Sequence, residues 1–231
     1  MKKRTFYTEA AYIAGLVLIA AGAALMEKAN FGMSMVVAPA YLLHRWLSPV
    51  WNWFSFGTAE YCLQALLLLV MWLVMRRFRL GWLFSLFTAV IYGFVLDGLM
   101  ALAALLPAQA IWLRLVWYVL GMVVCSAGVA CMFHTYLPGE IYELFVKEAS
   151  AHFGVEIHRF KTGYDCVSCF VGLVMSFLIF GMWHFVGVNW GTVLCALVNG
   201  WMIGRCSAWM EKHLDMRDAL PWRQFFEGTA A

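Results

Sequence analysis

The sequence has few charged residues. Aspartate, glutamate, lysine and arginine make up 13% of its 231 residues, whereas soluble globular domains carry roughly 25%. Sequence motifs of common catalytic classes are also missing, including the Walker loop, the Rossmann glycine fingerprint, the nucleophile elbow and HExxH. These absences argue against a soluble domain and against an enzyme. The small net charge of +3 gives no reason to expect a nucleic-acid partner.

The cysteines do not form a pattern typical of disulfides or metal sites. All seven fall within or at the ends of apolar segments: Cys62, Cys125, Cys131, Cys166, Cys169, Cys195 and Cys206. Cross-linking in an oxidising exterior is therefore not expected. Cys166 and Cys169 form one isolated CxxC pair, and a zinc reading needs a second pair with similar spacing. We expect no metal and no cofactor.

Long apolar segments dominate the chain, which is 64% hydrophobic. A helix that crosses a bilayer needs about 20 mostly apolar residues. Six segments qualify: 9–27, 58–76, 80–106, 109–133, 163–185 and 189–210. The sequence therefore predicts an all-α polytopic membrane protein with six transmembrane helices.

An internal duplication divides these segments into two sets of three. Residues 12–26, YIAGLVLIAAGAALM, match residues 118–132, YVLGMVVCSAGVACM, at seven positions without a gap. An odd number of spans in each copy inserts the second copy from the opposite side of the membrane. We therefore predict two inverted three-helix repeats, 9–106 and 107–210, preceded by a cytoplasmic N-terminus (1–8) and followed by a cytoplasmic tail (211–231).

Lysine and arginine predict the orientation. With the amino terminus inside, the cytoplasmic segments hold thirteen of the sixteen basic residues, and only Lys28, Arg45 and Arg114 lie outside. This bias follows the positive-inside rule and predicts an inner (plasma) membrane protein with both termini cytoplasmic. The basic start, with Lys2, Lys3 and Arg4 before an apolar run, also resembles a secretory signal. The matching run inside the chain favours a retained span.

Each repeat has a short segment between its first and second span. In copy one a break at 30–34 precedes a short helix, Met35–Trp46, with Ser34 as the predicted N-cap. In copy two a break at 134–139 precedes Glu140–Phe153, with Pro138 in the first turn. Helices of 12 to 14 residues reach about 18–21 Å, short of a 30 Å hydrocarbon core. They are either re-entrant half-helices or interfacial helices.

Three motifs resemble the bacterial YitT/YczE-like integral membrane proteins. They are the glycine-rich first span running into ANFGMS (29–34), the proline-plus-acid start of 137–166, and the G-T-x-x-x-A-x-x-x-G pattern at 191–200. The resemblance covers most of 9–210 and implies a duplicated membrane core with a transport role. Family members often begin both short segments with proline and, two residues on, an acid. Pro138 and Glu140 satisfy this pattern, but Met35 and Val37 do not.

Ionisable residues inside predicted spans are the first candidates for function, because they cost about 2.5–3.5 kcal/mol near the bilayer centre on insertion scales. Asp97 lies in the outer half of its span, and Arg205 in the inner half of its own. A salt-bridge or hydrogen-bond anchor is the structural alternative for Asp97. A snorkelling interfacial side chain is the alternative for Arg205.

The breaks and the spans around them supply the other candidates. Glu140 begins the second short helix, and Asp165 begins the fifth span. Each carboxylate either caps its helix at the membrane surface or accepts a proton or cation beside a cavity. His134, at the preceding break, is a candidate relay. The remaining candidates are three polar side chains that could bind substrate at the breaks or within the sixth span: Asn30, Ser34 and Asn199. Unwound backbone between half-helices is how many inverted-repeat transporters build a substrate site.

These features predict a secondary transporter, a proton- or ion-coupled permease or exporter of a small organic molecule, with its site at the repeat interface. Glu140 and Asp97 are the predicted coupling acids. The alternative is a membrane-embedded accessory or scaffold protein. Its tail, with Trp222, Phe225 and Phe226, would dock a cytoplasmic partner. The predicted partners are the lipid bilayer and a small-molecule substrate, and a homo-oligomer is left open.

Overall fold

The computed structural model of the chain describes residues 4–32, 34–51, 53–54, 56–76, 78, 80–181 and 188–223. Some predictions concern residues outside these ranges: the basic residues Lys2, Lys3, Arg77 and Arg79, Met33 in the first break, the end of the fifth span and the end of the tail with Phe225 and Phe226. The described part holds eight helices and two short strands.

The elements follow one another in a simple order. Strand β1 (Arg4–Tyr7) leads into α1 (Thr8–Ala29), which is followed by α2 (Ala38–Leu47), α3 (Phe56–Met75), a 3₁₀ turn (Leu80–Trp82) and α4 (Leu83–Ala104). The second half comprises α5 (Ile111–Phe133), α6 (Ile141–Phe153), α7 (Ile157–Phe180), α8 (Trp190–His213) and β2 (Leu214–Arg217).

Five of these helices, α1, α3, α4, α5 and α7, are long and apolar enough to cross a membrane. Their outward faces carry large apolar side chains, such as Phe94, Trp112 and Leu178, which are 73%, 75% and 80% exposed. Apolar surface of this extent is rare on soluble proteins and marks contact with lipid or protein. The prediction of a helical membrane protein is confirmed. The sixth predicted span, 189–210, corresponds to helix α8. This helix is not one of the five that are long and apolar enough to cross a membrane.

Helices α1 and α5 form the centre of the bundle and touch along their glycines. A Cβ atom added to Gly22 would lie 2.6 Å from the Cβ of Cys125 and 2.7 Å from the carbonyl oxygen of Gly121. One added to Gly128 would lie 2.8 Å from the carbonyl oxygen of Gly15. Small residues let helix backbones approach this closely, so the first and fourth predicted spans pack against each other through these glycines.

Replacing Gly22 by alanine should therefore destabilise the protein by about 1–3 kcal/mol, the usual cost of overpacking a tight core. Gly98 is the matched control, because it lies within α4 and a Cβ there would meet nothing within 4 Å. Thermal unfolding in detergent should show a lower Tm for Gly22→Ala and no loss for Gly98→Ala. Equal Tm values for both variants would contradict the close α1–α5 contact.

The two short helices begin later than their sequence signals predicted. The first begins at Ala38 with Val37 as N-cap, and the second at Ile141 with Glu140 as N-cap. The prediction of Ser34 as N-cap was wrong, because Pro39 occupies the first turn of α2 and fixes its start. Pro138, placed in the first turn by prediction, instead lies before the N-cap of α6.

The two ends of the described chain pair with each other. Strand β1 lies parallel to β2, with Arg4 opposite Leu214 and Tyr7 opposite Arg217. This small sheet joins the start of α1 to the end of α8. The face of the bundle that carries it is called the terminal end below, and the face near Asn30 the opposite end.

Candidate functional site

A small polar cavity lies between the two halves of the chain, at about the middle of α1 and α5. Its volume is about 30 Å³. Its polar lining comes from both breaks and from the helices around them: Ser34, Tyr92, Glu140, Tyr142, Glu143, Lys161 and Asn199. Aliphatic side chains of both halves close the rest, including Ile19, Val36, Val37 and Val129. This central cavity is the candidate functional site.

The amino-terminal end of α6 is held at the cavity by Gln64 of α3. The Ile141 N–H donates to Oε1 of Gln64 over 3.3 Å, so the side chain satisfies a free donor of the helix terminus. The Gln64 amide donates in turn to Glu140 Oε2 at 3.1 Å and to Glu60 Oε1 at 3.3 Å. All three side chains are buried. One glutamine therefore links two glutamates across the boundary of the two halves.

A buried ion pair lies on the other side of the cavity. Lys161 Nζ is 2.7 Å from Asp165 Oδ1, one turn along α7, and both side chains are at least 98% buried. Asn199 donates to the second oxygen of Asp165 at 3.3 Å, and Ser126 lies 2.9 Å from the amide oxygen of Asn199. The pair thus belongs to a network that connects α5, α7 and α8.

Acids outnumber bases in this buried region. Among the described residues, the buried charged side chains are Glu60, Glu140, Glu143, Lys161 and Asp165. Oε2 of Glu143 has no hydrogen-bond partner among the described residues, and the Tyr142 hydroxyl interacts with the carboxyl group of Glu60, a second acid. Unpaired buried charge is very costly. The excess carboxyl groups are therefore neutralised, either by protons or by a bound cation.

A second cavity, the vestibule, adjoins the first at the terminal end. It has a volume of about 70 Å³ and is lined by Trp82, the loop before α6 and one side of α6. Lys147 and Glu148 bring charge to its wall. Glu143 lines both the vestibule and the central cavity. This carboxyl group is therefore the connection between the terminal end and the buried acids.

An aromatic cluster covers the cavity on its other side. Phe31, Tyr118 and Trp190 have ring centroids 5.0–6.2 Å apart. Tyr118 precedes Cys125, a cavity residue, by seven residues, or about 10 Å of helix. Arg114 stacks on Phe31 at 4.8 Å and donates to the carbonyl of Asn30 at 3.0 Å. The cluster therefore lies toward the opposite end of the bundle from the central cavity.

A polar cluster fastens the terminal end. The Glu9 carboxylate accepts hydrogen bonds from the Tyr136 hydroxyl at 2.8 Å and from the backbone N–H groups of Ala219 and Leu220 at 2.9–3.1 Å. Asp218 accepts from Arg223, which lowers the pKa of this carboxyl group. We call Glu9, Tyr136 and residues 218–223 the terminal clamp. Tyr136 also lines the vestibule, so the clamp lies at its mouth.

The structure brings four of the predicted site residues together. Glu140, Ser34 and Asn199 line the central cavity, and Asp165 is bonded to Asn199. The other four lie elsewhere. Asp97 is exposed on α4, away from the cavity. Arg205 is exposed and stacks on Trp201.

Asn30 and His134 complete that second group. Asn30 is exposed and ends α1 in a left-handed conformation, with φ of 53°. His134 ends α5 and lies 3.3 Å from both Glu211 and Ser207 of α8. Their local roles are therefore helix termination and contact between helices.

Sequence reasoning missed Glu60, Gln64, Glu143 and Lys161. Glu60 and Gln64 lie inside a predicted span, so the cost of polar groups in a membrane was a usable signal. Glu143 and Lys161 gave no such signal. The first lies in a short amphipathic helix, and the second was one of several basic residues assigned to the cytoplasmic side. Only the packing of α6 against α3 and α7 buries them.

The fold and the cavity define a polytopic α-helical membrane protein with a buried polar centre. A sequence profile described as a family of unknown function, DUF6198, matches residues 6–208. The chain therefore belongs to the DUF6198 family. No curated protein and no solved structure matches it.

Proposed function

We propose that this protein is a secondary transporter whose substrate and coupling site is the central cavity. The observation that carries the proposal is the excess of buried acids at a cavity between the two halves, with Glu143 reaching the vestibule. A protein that only needed a stable core gains nothing from buried acids that lack partners, since apolar residues of similar volume are often as stable or better. In a coupled transporter these carboxyl groups would bind and release the coupling proton or ion.

The glycine contacts support an inverted duplication of six spans. The sequence repeat relates Gly15 to Gly121 and Gly22 to Gly128. If the two repeats are exchanged, the contact between Gly22 and Gly121 becomes a contact between Gly128 and Gly15. Both contacts occur in the structure. The reversed order along the two helices is that of an antiparallel pair. A twofold axis in the membrane plane between α1 and α5 accounts for all of this.

The short helices support the same symmetry. Helix α6 packs on α3 through Ile141, Leu144 and Leu68. Helix α2 packs on α7 through Leu42 and Leu173. In the proposed repeat α2 corresponds to α6 and α3 corresponds to α7, so exchanging the two repeats converts the α6–α3 contact into the α2–α7 contact. Each short helix thus rests on the other half, and both enter the bilayer as re-entrant half-helices with their amino-terminal ends at the cavity, as in other inverted-repeat transporters.

The orientation follows from the basic residues. Arg4, Arg76, Lys212 and Arg217 lie at or near the terminal end, and the positive-inside rule makes this the cytoplasmic face of the plasma membrane. The vestibule and the terminal clamp then face the cytoplasm, and the aromatic cluster faces outward. A cavity of about 30 Å³ holds one or two water molecules. Transport would require this cavity to widen and to open at each end in turn.

The accessory or scaffold role is a weaker proposal. It requires a tail that is free to bind a partner. Glu9 ties the start of the tail to the membrane domain at Ala219 and Leu220. Trp222 beyond this tie is 54% exposed, and Phe225 and Phe226 lie outside the described residues. The resemblance to YitT/YczE-like proteins stays a prediction that agrees with transport.

Cys125 provides a test that needs no knowledge of the substrate. It lines the central cavity, and a transporter must expose it to each side in turn. Right-side-out and inside-out vesicles would be treated with a membrane-impermeant methanethiosulfonate reagent, and the labelled peptide quantified by mass spectrometry. We expect Cys125 to react from both faces.

Buried Cys195 is the internal control, because its reaction would report unfolded protein. Reaction of Cys125 from one face only, or from neither, would reject the transporter and favour a static membrane protein.

A further inference from the structure

We propose that the central cavity binds a small alkylammonium ion, of the class of primary amines, and exchanges it for a proton. The inference rests on the proposed function and names the substrate class of the same site. Three properties of the cavity support it: its unpaired acceptors, its tyrosine rings and its aliphatic walls.

The first property is a set of buried acceptors without donors. Glu143 Oε2 lacks a partner among the described residues, and its side chain lines the cavity and is more than 90% buried. The buried Tyr142 side chain also lines the cavity, and its hydroxyl interacts with Glu60. A hydroxyl that donates to a carboxylate keeps lone pairs that accept from a further donor. An ammonium group has N–H donors that point in several directions. It would satisfy the two cavity acceptors and neutralise one excess carboxyl group at the same time.

The second property is the combination of a carboxylate with an aromatic ring. The rings of Tyr92 and Tyr142 belong to the cavity wall that also carries Glu140 and Glu143. Ring faces attract ammonium ions, most strongly where water is excluded. The protein already binds one ammonium in this way, because Lys161 Nζ lies between Asp165, at 2.7 Å, and the ring of Tyr164, at 5.5 Å.

The third property separates an alkylammonium from an inorganic ion. Ile19, Ala23, Val36, Val37 and Val129 line the cavity opposite the acids. Such a wall favours an alkyl group over the hydration shell of Na⁺ or K⁺. The described residues also hold no group of three or more His, Cys, Asp or Glu side chains suited to a metal ion. A volume of about 30 Å³ fits an ammonium head group.

The exchange balances charge. When the amine is absent, one carboxyl group of the site carries a proton. When R–NH₃⁺ binds, that proton leaves for solution through Glu143 and the vestibule, and the carboxylate pairs with the ammonium. One cation replaces one proton, so the net charge of the buried site is the same in both states. The site therefore never holds an additional uncompensated charge.

Binding is tested with methylammonium chloride and the purified full-length protein in detergent. Methylammonium should raise the Tm in a concentration-dependent way, because a ligand of the folded state stabilises it. NaCl, KCl and tetramethylammonium chloride at equal ionic strength should not, since the last carries no N–H donor. The shift should be larger at pH 8 than at pH 5.5, because protons compete, and a weakly buffered solution should acidify by about one proton per bound cation.

Two variants and a control locate the effect. Glu143→Gln should abolish the Tm shift. Tyr142→Phe keeps the ring and removes the hydroxyl that interacts with Glu60, so it should bind methylammonium about tenfold more weakly, as expected for the loss of one hydrogen bond to a charged group. Glu156→Gln, at an exposed pair with Arg159, should behave as wild type.

Absence of a methylammonium shift, an equal shift with Na⁺ or tetramethylammonium, or an unchanged shift in Tyr142→Phe and Glu143→Gln would each overturn the amine assignment. The Cys125 experiment separates this failure from that of the transporter. If Cys125 still reacts from both faces, transport survives with another substrate.

Discussion

Replacing Lys161 by methionine should destabilise the protein more than the other substitutions considered, by about 3–5 kcal/mol. Asp165 is fully buried and its shortest contact is with Lys161 Nζ at 2.7 Å. Removal of the lysine leaves a fully buried carboxylate without its cationic partner. The remaining hydrogen bond from Asn199 does not compensate a whole charge. Thermal unfolding in detergent should show the loss as a large decrease in Tm.

A double mutant shows whether the loss comes from the ion pair. Lys161→Met/Asp165→Asn removes both charges and keeps an oxygen that accepts from Asn199, so it should recover most of the lost stability. A double-mutant cycle then gives a coupling energy that is far from zero, as expected for side chains in contact. If the two losses simply add, Lys161 contributes through packing and not through its charge.

Replacing Glu143 by glutamine should remove the pH dependence of the conformational change. Glu143 faces both cavities, and its charged form needs water. Rising pH should therefore favour the state in which the vestibule joins the central cavity. In the wild type, the ratio of Cys125 labelling from the terminal face to labelling from the opposite face should increase with pH, by roughly tenfold if the states differ by 1.4 kcal/mol. In Glu143→Gln the ratio should be constant.

The ratio cancels the effect of pH on the thiol itself, because the same cysteine is labelled from both faces at one pH. Other ionisable groups face Glu143 from neighbouring elements: Glu60 on α3, Tyr92 on α4, Cys125 on α5, and Lys161 and Asp165 on α7. Glu140 and Tyr142 belong to the start of α6 itself. If the labelling ratio still depends on pH in Glu143→Gln, the group that controls the conformational change is one of these neighbours and not Glu143. Exposed Asp97→Asn and Glu156→Gln should match the wild type.

Much of the helical framework was predictable because apolar length is a local property. The predicted span 9–27 became Thr8–Ala29, and 109–133 became Ile111–Phe133. The start of α2 failed for an equally local reason, because a serine N-cap signal competed with a proline four residues after Met35.

The site was predictable only in part. Glu140 and Ser34 were found because they lie at helix breaks. Asp97 was selected by its depth in a span, but depth along a helix does not say which face a side chain is on. Glu143 was overlooked because its segment resembles a surface helix. Its burial depends on α3 and α7, which are distant in sequence.

The sequence by itself determined the apolar helices and the two breaks between them, because each is set by residues close together in the chain. The tertiary structure decided which polar groups are buried together. It placed Glu60 beside Glu140 through Gln64, buried the Lys161–Asp165 pair of α7 against Asn199 of α8, and tied Glu9 to the chain some 210 residues later. A buried charge is tolerated only beside groups that compensate it and in surroundings that satisfy its hydrogen bonds. Gln64 and Asn199 reach their acids from other helices, so the identity of the site is a property of packing.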